Sequence, residues 1–100
     1  MREEPRDAKL LEDAHILMHP LRYRIVELLA EKPMHINALA SALGMERRLV
    51  SYHLLKLEEH GFVTSEYELG FVIRQKGKAF RVYTVTAKVA EVKDELKKGL

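Results

Sequence analysis

The hydrophobic period of the chain changes at Gly61, and that change constrains the fold more than any other feature. Before it, apolar residues recur at helical spacing. After it come Phe62, Val63, Thr64 and Tyr67, then Phe71, Val72 and Ile73, and later Phe80, Val82, Tyr83, Thr84 and Val85, a β-rich composition. Several helices followed by a hairpin in only 100 residues leave room for one core, so residues 1–100 are expected to form a single, mainly helical α+β domain.

Upstream of Gly61, Leu10, Leu11, Ala14, Leu17 and Met18 mark a helix over 6–18 that Pro20 interrupts. His19-Pro20 reads as cap and first-turn proline of a second helix, carried by Leu21, Ile25, Leu28 and Leu29 and closed by Lys32-Pro33. Met34-His35-Ile36 reads as an extended link, and Asn37 as the N-cap of a short helix over 38–43 that Gly44 ends. A fourth helix over 46–59 places Val50, Leu54 and Leu57 on one stripe and stops at Gly61. Beyond the hairpin, whose turn is Gln75-Lys76-Gly77-Lys78-Ala79, residues 87–98 form a fifth, amphipathic helix with Val89, Val92 and Leu96 on one face.

Composition excludes several functions. No stretch approaches the roughly 20 consecutive apolar residues of a membrane span, and the first twenty residues, with Glu3, Glu4, Asp7, Glu12 and Asp13, lack a secretory layout, so a cytoplasmic protein is expected. The absence of cysteine removes disulfides, thiolate metal sites and thiol nucleophiles. The glycines are too scattered for a phosphate-cradling loop. The net charge of +2 is uninformative, but Arg74, Lys76, Lys78, Arg81 and Lys88 place five positive charges and no negative one in residues 71–88. Clustered charge of one sign points to a polyanion.

Two helices joined through Leu43-Gly44-Met45, followed by a cationic hairpin, describe a winged helix-turn-helix, whose second helix enters the DNA major groove. On the helix over 46–59, Arg48, Ser51, Tyr52, Leu55 and Glu59 fall opposite the apolar stripe, with Arg47 in the first turn. Arg47 and Arg48 suit the paired acceptors of guanine, and Ser51 and Tyr52 suit phosphates or bases. The wing, with Arg74, Lys76, Lys78 and Arg81, suits the sugar–phosphate backbone.

His19-Pro20-Leu21-Arg22-Tyr23-Arg24-Ile25, Ala38-Leu39-Ala40 before Leu43-Gly44, Val50-Ser51-Tyr52-His53-Leu54 and Leu57-Glu58-Glu59-His60-Gly61-Phe62-Val63 together resemble the ArsR-type winged-helix transcriptional regulators. The resemblance runs from about residue 15 to 86. It implies a homodimer on a palindromic operator, more often a repressor than an activator, with the first and last helices forming much of the dimer interface. Glu46 stands where the family usually has a Ser or Thr cap, and its charge suits the helix dipole but repels phosphate. Where metal-sensing members carry two cysteines this chain has His35 and Asn37, and Glu91, Asp94 and Glu95 on the last helix have no histidine beside them. No metal or other cofactor is expected, and no effector is named.

Leu10, Leu11, Leu17 and Met18 on the first helix and Val89, Val92 and Leu96 on the last exceed what a three-helix core needs, so a second copy is expected to cover them. Ser51 and His53 point about 160° apart on a helix, which leaves no nucleophile–base pair, and an enzyme is not expected. A rival reading makes the winged helix a protein-interaction module, favoured by an outward Leu55 that would equally suit a thymine methyl group.

Overall fold

The computed structural model of the chain describes residues 5–68 and 80–99. Among them the order is α1 (Pro5–Leu17), α2 (Pro20–Glu31), β1 (Met34–His35), α3 (Ile36–Leu43), α4 (Arg47–Glu59), β2 (Val63–Glu68), β3 (Phe80–Val85) and α5 (Lys88–Lys98). Each boundary has a local cause. The His19 imidazole accepts the Leu21 N–H at 3.1 Å and Pro20 begins α2. Pro33 disfavours helical geometry at the residue before it, and Lys32 is fully extended there. Gly44 ends α3 in the left-handed region at φ 65°, where its N–H meets the Ser41 carbonyl and the Met45 N–H meets the Ala40 carbonyl. Gly61, at φ 80°, ends α4 with the same pair of bonds, its own N–H to Glu58 and the Phe62 N–H to Leu57. Both are six-to-one closures that an L side chain would strain.

The strands form one antiparallel sheet in the order β1-β3-β2. Val63 pairs with Val85 and Glu68 with Phe80, which is the expected hairpin. The third strand corrects the sequence reading, because Met34-His35 pairs with Tyr83 and Val82 rather than serving as a free link. That pairing holds His35 extended as the residue before α3, so the helix starts at Ile36 and Asn37 lies inside its first turn, exposed, instead of capping it.

The core joins Leu17 of α1, Ile25, Val26 and Leu29 of α2, Leu39 of α3, Val50, Leu54 and Leu57 of α4, and Phe62, Val63 and Tyr83 of the sheet, closed by Val89 and Val92 of α5. Three residues expected at a dimer interface are thus already covered within one chain: Leu17, Val89 and Val92 are buried because α1 and α5 pack on each other and on the motif. Leu10 and Leu96 are half-buried against the core, while Leu11 and Met18 remain 45% and 46% exposed.

A buried polar joint fixes the two terminal helices to the end of α4. The Asp13 carboxylate lies 3.2 Å from Lys88 Nζ and 3.7 Å from His60 Nδ1. Lys88 Nζ also donates to the His60 carbonyl at 2.6 Å, and the Thr86 hydroxyl donates to the Gly61 carbonyl at 2.6 Å while accepting the Lys88 N–H at 3.3 Å. Burial of Asp13 is tolerable because its charge is paired.

Candidate nucleic-acid interface

The surface opposite the core stripe of α4 is built by periodicity alone. Val50, Leu54 and Leu57 are essentially inaccessible, which turns Arg48, Ser51, Tyr52 and Leu55 outward together, and Arg47 is exposed beside them because it opens the helix. Tyr52 and Leu55 are 51% and 52% exposed. Leu49, which the sequence reading did not include, is exposed as well. Arg47, Arg48 and Ser51 share one surface depression with Ile36 at the start of α3. Glu46 precedes α4 in extended geometry and its side chain caps nothing, so the first-turn N–H groups and the positive end of the helix dipole keep the company of two arginines.

The back of the helix is held by a contact that joins two of the sequence motifs. Arg22 is buried at the start of α2; its Nε donates to His53 Nδ1 at 3.0 Å and its Nη1 to the Ile16 carbonyl at 3.2 Å. The His19 ring lies 4.6 Å from that of His53, and the Tyr52 ring meets it edge-on at 5.1 Å. A histidine that accepts at Nδ1 is neutral, and its environment keeps it so. Burial first, then the neighbouring His19 and the Arg22 charge, push the His53 imidazole below the ordinary 6.5. The consequence for the site is rigidity, since α1, α2 and α4 converge on one guanidinium just beneath Tyr52.

At the root of the hairpin the geometry is less simple than a row of phosphate ligands. Arg74, Lys76 and Lys78 lie outside the described residues. Arg81, on β3, has its Nη2 2.7 Å from Ser65 Oγ and 3.5 Å from Glu58 Oε2, and Ser65 Oγ donates to that same carboxylate oxygen at 3.0 Å. Neither Glu58 nor Ser65 stood out in the sequence, because their meeting depends on how the hairpin packs against α4.

A tight helix–turn–helix, a third helix behind it and a three-stranded sheet at its side make up the winged helix-turn-helix architecture of DNA-binding transcriptional regulators. The chain belongs to the helix-turn-helix domain family, which matches residues 17–66, and within it resembles the ArsR-like regulators. Solved structures agree. A possible transcriptional regulator for arsenical resistance is 27% identical with a TM-score of 0.68, over 84% of this chain and 79% of that one. The transcriptional repressor BigR from Xylella fastidiosa is 26% identical with a TM-score of 0.64, over 91% and 82% of the two chains. The homodimeric winged helix-turn-helix domain of Mb0332 from Mycobacterium bovis, a possible ArsR-family regulator, shares the fold at 24% identity and a TM-score of 0.68, over 95% and 84%. No curated protein matches the chain. Among the described residues no helix is long and apolar enough to cross a membrane.

Proposed function

We propose that this chain is a cytoplasmic, sequence-specific repressor of transcription that binds a palindromic operator as a homodimer. The observation that carries the reading is the outward set Arg47, Arg48, Ser51, Tyr52 and Leu55 on a helix clamped from behind. In this reading α4 lies in the major groove, its arginines donate paired hydrogen bonds to guanine, and Leu55 meets a thymine methyl group. The cationic residues Arg74, Lys76 and Lys78 of the hairpin follow the phosphate backbone.

The dimer surface is narrower than the apolar pattern suggests. It centres on Leu11 and Met18, with half-buried Leu10 and Leu96 beside them, and Met18 and Leu96 share a shallow groove with Lys93 and Lys97. Two-fold symmetry would set the two α4 helices about one DNA turn, roughly 34 Å, apart. Repression is what BigR does by description, and a homodimer is what Mb0332 forms; both support the reading for this chain.

Salt dependence tests it. A dimer that neutralises some 6–10 phosphates should lose about a thousand-fold or more in affinity for its duplex between about 50 and 200 mM salt, and a flat response removes the proposal. Exposed Leu49, Tyr52 and Leu55 favour a second reading, a protein-docking face. Leu55→Lys separates the two: it should be mild for duplex binding and ruinous for a protein contact.

A further inference from the structure

The guanidinium of Arg81 sits where a phosphate ligand would be expected, yet its surroundings are those of a structural joint. Register places Tyr67 directly opposite Arg81 and Ser65 opposite Tyr83, so Val63, Ser65, Tyr67, Arg81, Tyr83 and Val85 share one face of the hairpin. That face is the inward one, since Val63 and Tyr83 are buried in the core. Arg81 therefore leans toward the helices. There its Nη2 bonds Ser65 Oγ, Ser65 Oγ bonds Glu58 Oε2, and Arg81 closes the triangle onto the same oxygen. The cation also lies 5.5 Å from the Tyr83 ring centre and 5.9 Å from that of Tyr67. Glu58 belongs to the last turn of α4, on the flank between the core stripe and the outward face. Left unpaired, its carboxylate would repel a nearby phosphate.

We infer that Arg81, Ser65 and Glu58 form a strut that sets the angle of the wing to the reading helix, with Arg81 a positioning residue and not a phosphate ligand. The inference rests on the DNA-binding reading above and replaces one residue role within it. The strut does two things at once. It neutralises the one carboxylate that α4 carries on this flank near its C-terminal end, and it ties strand β3 to α4 at a point beyond the last core contact, Tyr83, where the hairpin leaves the body of the domain.

Ser65 is the decisive position because it carries no charge. Ser65→Ala removes both hydroxyl contacts and leaves only the 3.5 Å Arg81–Glu58 ion pair, which loosens Arg81 toward phosphate, so a phosphate role predicts unchanged or tighter duplex binding. The strut predicts a loss of roughly three- to ten-fold, the scale of one or two net hydrogen bonds, with the salt slope unaltered and with recovery in Ser65→Thr, which restores the hydroxyl. Arg81→Ala should likewise weaken binding without changing the slope, whereas loss of a phosphate contact from each half of a dimer lowers it by about 1.8. Wild-type affinity in Ser65→Ala, or a reduced slope in Arg81→Ala, overturns the inference. A readout without DNA keeps the two readings apart. In the free protein, amide exchange along the β2–β3 ladder should quicken in Ser65→Ala and return to normal in Ser65→Thr; unchanged exchange contradicts the strut whatever the chain binds.

Discussion

Arg22 and His53 sit in two separate sequence motifs that meet in the folded chain at one hydrogen bond. An imidazolium carries a proton on both nitrogens and cannot accept from Arg22, so protonation and this contact are mutually exclusive. Because burial and the Arg22 charge hold His53 below the ordinary 6.5, the unfolded chain takes up the proton first as pH falls. Its contribution to stability is therefore complete above about 6.5 and is lost as pH drops from there through the lowered folded value. Urea unfolding at pH 7.5 and 5 should show this fall, and His53→Gln, which keeps an acceptor but does not titrate, should flatten it. Arg22→Ala leaves the His53 nitrogen and the Ile16 carbonyl unpaired in a buried site and should cost about 2–3 kcal/mol by the same measurement.

Among the elements, the helix-turn-helix was legible because its punctuation is local. Gly44 and Gly61 are helix stops that depend on a few neighbouring residues, and the Val50, Leu54, Leu57 stripe defines α4 without reference to any other part of the chain. Gly44→Ala should destabilise by about 1–2 kcal/mol through left-handed strain alone, since an added Cβ meets nothing within 4 Å. Asn at the same position should recover much of that loss. β1 was not legible: two residues carry no period, and what makes Met34-His35 a strand is pairing with Tyr83 and Val82, almost fifty residues away. The misplaced cap follows from the same cause, because a good capping residue at 37 is overruled once β1 fixes His35. The outward face of α4 could be read from periodicity, but the Arg81–Ser65–Glu58 triangle could not, as it depends on strand register and on the seat of the hairpin against α4.

At the scale of the whole molecule, periodicity showed that α1 and α5 have apolar faces but not which partner covers them. One chain already buries Leu17, Val89 and Val92, so Leu17→Ala should act as a core truncation costing about 2–5 kcal/mol. Met18→Lys, on the exposed surface, should instead leave the unfolding curve of the separated subunit nearly unchanged and shift the mass of the free protein from dimer to monomer. If Met18→Lys left the mass at that of a dimer, the α1–α5 surface would not be the interface. In the proposed reading, α4 sets which bases are read, and the two-fold axis and the hairpin set where. The most direct measurement is selection of bound duplexes from a random pool by the wild-type chain and by Arg48→Ala. The account predicts a two-fold-symmetric consensus for the wild type and, for the variant, a preference relaxed at one base step in each half-site; an identical consensus for both proteins would contradict it.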